Sequence, residues 1–239
     1  MYKLRNAFIQ LTGYWIYKKK HLTTGVDFII DLENHFPSEF QSIKTVFDIG
    51  ANSGQSAKKF STELKSASIY SFEPEAEVFL HLKSNTKHLP NVSCFNFGLG
   101  DKNDQMELHH GKYSGWNSLL PDLNDTGKKS MVEIKTLDDF VEETGTTQID
   151  LLKTDTEGFD INVLKGATKM LEYNKIKFIY IEAGFYTTNK RNTNLDEIMS
   201  FLLDYNFTLF ALYEVSKGGS HMVNGNALFA HSSTVSAKY

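Results

Sequence analysis

Acidic residues stand at or near the ends of four apolar runs in this 239-residue chain. Asp48 lies within Thr45-Val46-Phe47-Asp48-Ile49, Glu73 follows Ile69-Tyr70-Ser71-Phe72, Asp155 follows Ile149 to Thr154, and Glu182 follows Ile176 to Ile181. If the runs are neighbouring strands, the carboxylates meet at one sheet edge. There they can accept hydrogen bonds from hydroxyls, attract a cation or take up a proton as a general base. Lys153 shares a strand face with Asp155, two residues away, and a lysine inside a buried strand needs a partner. Asp155 and Glu182 are the first candidates for the base, with His110 and His221 next.

The elements that must position these groups begin with Val46 to Ala57, V-F-D-I-G-A-N-S-G-Q-S-A. It reads as a strand, a glycine turn through Gly50, Ala51, Asn52 and Gly54, and the start of a helix carrying Phe60 and Leu64. Such a turn brings a ligand against bare backbone and helix-start N–H groups. A dinucleotide fingerprint needs glycine where Asn52 and Gln55 stand. Asp48 at the mouth of the turn repels a pyrophosphate and welcomes an ammonium group. S-adenosylmethionine carries an ammonium, a sulfonium and no phosphate, and Glu73-Pro74 supplies a strand-end acid that can accept both ribose hydroxyls. S-adenosylmethionine is therefore the expected cofactor.

Length and composition set the frame. The chain is long enough for one large α/β domain with a full core. A net charge of −4, 41% hydrophobic and 23% charged residues give no global attraction to nucleic acid. Cys94 is alone, in an apolar run, so no disulfide framework or cysteine metal site exists. The first twenty residues carry Lys3, Arg5, Lys18, Lys19 and Lys20 among Leu4, Phe8, Leu11, Trp15 and Ile16. They hold no signal-peptide core and no transmembrane span. The expectation is a helical leader over 1–36 that packs on a catalytic domain over 37–239, with peripheral membrane contact through the basic segment as the second reading. A cytoplasmic location is expected.

Along the chain, strand and helix alternate: Thr45–Ile49, a helix from about Gly54, Ile69–Phe72, a helix through Val78, Phe79 and Leu82, and Val92–Phe97. This is the pattern of βαβ units in a parallel sheet with helices on both faces. Gly98 and Leu99 at the end of the third strand are placed to flank an adenine ring. His109 to Ser130 reads as an irregular loop and a substrate lid. Thr136 caps a short helix, Ile149–Asp155 is the fourth strand, Glu157-Gly158 turns into one helix bearing Ile161 to Leu171, and Ile176–Ile181 is the fifth strand. Phe207–Tyr213 and Ala227–Ala230 form an antiparallel pair with a long connection.

Taken together, T-V-F-D-I-G-A-N-S-G-Q, Y-S-F-E-P, G-L-G-D, N-S-L, T-L-D-D-F, D-L-L-K-T-D-T-E-G-F-D, V-L-K-G-A and N-A-L-F resemble the FkbM family of S-adenosylmethionine-dependent methyltransferases over most of the chain. The resemblance implies a Rossmann-like class I methyltransferase fold, a seven-stranded, mostly parallel sheet whose last strand is antiparallel. It also implies methyl transfer to a hydroxyl oxygen of a sugar, glycan or secondary metabolite. Asp48, Gly50, Asn52 and Gly54 match the family's cofactor loop, Glu73 its ribose acid, and Lys153, Asp155, Glu157 and Gly158 its K-x-D-x-E-G motif. Asp160 and Asn226 depart from the common Glu and Asp. Two other classes stay open, a non-catalytic cofactor-binding scaffold and a nicotinamide oxidoreductase. Three carboxylates converging on one crevice argue against the first, and Asn52 and Gln55 against the second. A metal-free route is the first expectation, since the sequence offers no ligand cluster beyond the Asp155 and Glu182 pair, and a magnesium ion acidifying the acceptor hydroxyl is the second. Nothing in the sequence sets an oligomeric state.

Overall fold

The computed structural model describes residues 10–12, 22–121, 126–186 and 191–234. Most of the basic leading segment, including the stretch read as a membrane-contacting helix, lies outside them. Among the described residues no helix is long and apolar enough to cross a membrane.

Seven strands make the main sheet: β1 (Thr45–Ile49), β2 (Ser68–Phe72), β3 (Val92–Phe95), β7 (Ile149–Thr154), β8 (Ile176–Gly184), β9 (Phe207–Tyr213) and β12 (Asn224–His231). Their order is β3-β2-β1-β7-β8-β12-β9. All neighbouring pairs are parallel except those made by β12, which runs antiparallel to both β8 and β9. The expected sheet with an antiparallel last strand is present. All six residues of β7 are buried, as a central strand covered on both faces requires.

Helices cover both faces. On one side, α1 (Phe28–His35) and α3 (Gln55–Glu63) pack Phe28, Ile29, Leu32 and Phe60 against Val46, Leu151, Phe178 and Tyr180. Asp27 caps α1 by accepting from the N–H groups of Ile29 and Ile30. Phe28 stacks on Tyr180 with ring centroids 3.9 Å apart, so one face of α1 packs on the core. On the other side, α5 (Leu137–Thr144), α6 (Asp160–Lys165), α7 (Thr168–Glu172) and α8 (Leu195–Leu203) cover Phe47, Leu152, Ile179 and Phe229. Helices α2 (Pro37–Gln41) and α4 (Ala76–Thr86) precede the strands β1 and β3 in the chain. The single helix expected over Ile161 to Leu171 is two, broken at Gly166. The backbone there runs so close to Gly100 that a Cβ would lie 1.9 Å from its carbonyl oxygen.

The third strand also departs from expectation. It stops at Phe95, where Asn96 turns its amide to the carbonyls of Glu73 and Pro74 at 3.0 and 3.1 Å. Gly98–Leu99 is then β4 of a second, three-stranded sheet, ordered β4-β6-β5, with β5 (Asp104–His109) and β6 (Lys129–Lys135). Its two longer strands, β5 and β6, flank the loop read as irregular and take in only its ends, His109, Lys129 and Ser130. They bury only Leu108, Val132 and Ile134, too few positions for a readable alternation. A two-stranded ribbon, β10 (Lys217–Gly218) with β11 (His221–Met222), fills the long connection before β12.

Candidate functional site

The strand order reverses between β1 and β7, and the crevice opens at their C-terminal ends, the place where open α/β sheets bind ligands. Gly50, with φ +71°, leaves β1 there, and a Cβ on it would sit 1.9 Å from the Asp155 carbonyl oxygen. No other residue fits that contact. Asn52 is also left-handed, at φ +47°, with its own Oδ1 accepting from Ser53 N–H at 2.7 Å. Gly54 precedes α3 at φ +93°. The cavity is about 680 Å³ including its mouth. Gly50, Asn52, Glu73, Pro74, Gly98, Leu99 and Asp155, seven of the residues expected to bind cofactor, all line it.

Glu73 is the acid of this cavity. Its two oxygens accept from Asn52 N–H at 3.0 Å and Glu75 N–H at 2.9 Å, which fixes the carboxylate while leaving each oxygen a second lone pair. Burial pushes its pKa up to about 7, against the pull of those two N–H groups. Ala51 is buried and donates its N–H to the Phe72 carbonyl, so it shapes the turn from behind.

Asp48 departs from its expected position. It points away from the mouth of the turn and is fully buried, on the sheet face it shares with its register partner Lys153. The Lys153 ammonium lies 3.3 Å from Asp48 Oδ1 and 3.5 Å from Asp155 Oδ2, and donates to the carbonyl oxygens of Gly50 at 3.1 Å and Ile49 at 3.4 Å. The approach to Asp48 is an ion pair rather than an aligned hydrogen bond, since neither oxygen of Asp48 has a hydrogen-bond partner. Burial opposes the charge on Lys153, and Asp155 and Asp48 outweigh it, holding the ammonium above its ordinary range. Burial likewise pushes Asp48 up, against Lys153. Lys153 thus ties the glycine turn to the tip of β7 from beneath the crevice.

Beside it, Asp155, Glu157 and Glu182 each bring one carboxylate oxygen within 4.8 Å of the others. Glu157 is the member that residue-level reasoning did not place here; only its spacing in K-x-D-x-E-G pointed to it. Arg191 Nε donates to Glu157 Oε2 at 2.7 Å, and Asn224 donates to Glu182 Oε1 at 3.0 Å. Burial, together with Asp155, Glu157 and Asp160, pushes Glu182 up to about 9. Asp160, unremarked in the sequence beyond its departure from the family, is fully buried and accepts from Thr154 Oγ1 at 2.7 Å and Thr156 N–H at 3.1 Å, bracketing Asp155.

The loop expected to act as a lid covers the crevice in its described part. Ser114, Gly115, Asn117 and Leu119 line the cavity, and Ser114 Oγ lies 3.2 Å from Asn52 Oδ1. The loop is better anchored than its composition implies. His109 and Ser118 exchange two backbone hydrogen bonds, and the Trp116 ring carries the Arg191 guanidinium at 4.9 Å. His110, the remaining residue expected in catalysis, is buried with Nε2 2.9 Å from Ser130 Oγ and does not line the cavity. His221 stands on β11 against Tyr186, also outside it.

Comparison with known proteins agrees with this geometry. The chain is 27% identical over 152 residues to the 2-O-methyltransferase NoeI of Sinorhizobium fredii, covering 57% of this chain and 62% of that one. It is 28% identical over 152 residues to the hexuronic acid methyltransferase AglP of Haloferax volcanii, covering 61% and 59%. It thus spans about three fifths of the length of the curated relatives it matches. Among solved structures, the METTL16 MTase domain superposes with a TM-score of 0.52 over 95% of this chain and 77% of that one, at 13% identity, a likeness of fold alone. The model of the methyltransferase FkbM domain matches residues 48–209, and the chain belongs to that family.

Proposed function

We propose that this chain is an S-adenosylmethionine-dependent O-methyltransferase whose acceptor is a hydroxyl of a sugar or glycan. The observation that carries the reading is Glu73. It is a strand-end carboxylate held by two backbone N–H groups in the wall of a switch-point cavity, one of them from Asn52 in the turn whose Gly50 admits no side chain. The residues fit the cofactor. Glu73 has lone pairs left for two ribose hydroxyls, Phe72, Pro74, Gly98 and Leu99 give the cavity an apolar wall, and Asp155 presents a half-exposed carboxylate to an ammonium group. S-adenosylmethionine supplies an already activated methyl group. The chain's task is then to orient the acceptor, exclude water and accept one proton. The sugar acceptor is supported by the two relatives, one named as a 2-O-methyltransferase and the other as acting on a hexuronic acid. We further propose that residues 1–36 form a leading helical segment on a catalytic domain over 37–239, in the cytoplasm.

The test is calorimetric titration with S-adenosylmethionine and with NAD, followed by methyl transfer to a panel of glycans. Binding of NAD alone would overturn the reading, and S-adenosylmethionine binding without transfer to any acceptor would favour the scaffold. Turnover is expected to survive exhaustive EDTA treatment. Each carboxylate at the site already has a partner of its own, the Lys153 ammonium beside Asp155 as an ion pair, Arg191 donating to Glu157 and Asn224 donating to Glu182. Loss of activity restored by magnesium would assign the proton loss to a metal-assisted route.

A further inference from the structure

Glu157 is held in one conformation at the crevice. Its φ is +54°, a region that residues other than glycine rarely occupy. Two distant segments hold it there, through three contacts. Ser118 Oγ donates to its carbonyl oxygen at 2.7 Å, Arg191 Nε donates to its carboxylate at 2.7 Å, and the next residue, Gly158, runs so close to Arg191 that a Cβ would lie 2.5 Å from that residue's carbonyl oxygen. Arg191 is braced in turn by the Trp116 ring. A backbone held in a disfavoured conformation by its surroundings, beside a cavity, is the mark of a group kept in place for use rather than for stability.

Building on the methyltransferase reading above, we infer that Glu157 is the catalytic base that takes the proton of the acceptor hydroxyl, and that Arg191 is the positioning residue that aims its carboxylate and favours the ionised form. The other two carboxylates are committed elsewhere. Asp155 faces the Lys153 ammonium and, on the reading above, the ammonium group of the cofactor. Glu182 does not line the cavity, and burial among acids keeps its proton on at neutral pH. Glu157 does line the cavity, and burial pushes it to about 7 against the opposing pull of Arg191, the range in which a general base works best. The groups facing it are Asp155 and Glu182 at the cluster, buried Asp160 and the Arg191 guanidinium, with Lys153 behind Asp155. In the step itself the acceptor oxygen gains the methyl as the carbon–sulfur bond breaks, the sulfonium becomes a neutral thioether, and the hydroxyl proton passes to Glu157 and then to solvent.

The experiment uses the full chain, S-adenosylmethionine and an acceptor found by the glycan panel. Glu157→Gln keeps an acceptor for Arg191 and is expected to lower kcat by about 100-fold or more with unchanged S-adenosylmethionine affinity. Arg191→Gln is expected to move the acid limb of the kcat/KM profile up by about one pH unit, since removing a cation raises the pKa of the carboxylate it faced. Carbon-13 NMR of labelled glutamate in the cofactor-free protein should show the same upward move of one titration. Glu157→Gly relieves the left-handed strain, so it should fold at least as well as Glu157→Gln and be as inactive, which separates lost chemistry from lost structure. Wild-type turnover in Glu157→Gln, or an unmoved acid limb in Arg191→Gln, overturns the assignment. A wild-type protein that fails to bind S-adenosylmethionine overturns the enzyme reading itself.

Discussion

Glu73→Ala is expected to weaken S-adenosylmethionine binding by at least tenfold, and to abolish the pH dependence of that binding near neutrality. The carboxylate has one backbone donor on each oxygen, Asn52 N–H and Glu75 N–H, and one lone pair left on each for a ribose hydroxyl. Each such charge-assisted bond is worth roughly 1.5–3 kcal/mol, and about 1.4 kcal/mol is a factor of ten in affinity, so loss of even one reaches the expected effect. The substitution also strips the left-handed Asn52 of the partner for its N–H, loosening the turn on the cavity's other wall. The pH signature follows from burial, which raises the pKa of Glu73 from the ordinary 4.5 to about 7. Because the folded value is the higher one, the protonated form favours the empty protein, and the stability Glu73 contributes is lost as pH rises through about 7. Cofactor binding needs the ionised form, so affinity should be full above pH 7 and fall as pH drops through it. Calorimetry at pH 6 and 8 reads both. Equal affinities for wild type and Glu73→Ala would remove this residue from the cofactor site.

The largest expected loss of stability comes from Lys153→Met. The substitution keeps volume and removes the charge opposite a fully buried Asp48, whose oxygens have no hydrogen bond to fall back on. Breaking a buried pair by removing one partner costs about 3–5 kcal/mol. It also removes the donor to the Gly50 and Ile49 carbonyls, which ties the turn to β7. The carboxyl of Asp48 is already pushed up by burial, and without the ammonium it rises further. A raised folded pKa contributes stability below the unfolded value and loses it as pH climbs, so the deficit of Lys153→Met should shrink on acidification. The double variant Asp48→Asn, Lys153→Met should recover much of the loss, because it leaves no buried charge. Urea unfolding at pH 5 and 8 is the measurement. A single variant as stable as wild type at pH 8 would mean that Asp48 is neutral in the native protein and the ion pair contributes nothing.

The fold was legible in the sequence wherever one local rule decides it. The apolar runs of β1, β2, β7 and β8 are buried on both faces and stand out from their flanks, and Gly50 and Gly54 sit where only glycine tolerates the turn. The spacing of Glu73 after that turn marks it as the acid of the cavity. What the tertiary structure decided are the relations between segments distant in the chain. Whether Asp48 faced a ligand or a lysine depended on which strand lay beside β1, and register places Lys153 there. The small sheet around Gly98–Leu99 was hidden because it buries few residues, and the break at Gly166 because its cause is the backbone of Gly100. Glu157 owes its position to a left-handed backbone, to Ser118 39 residues before it and to Arg191 34 residues after it. Periodicity reports which face of an element is buried. It carries no information about the partner met there, and burial beside that partner sets the charge and proton affinity of Asp48, Lys153 and Glu157.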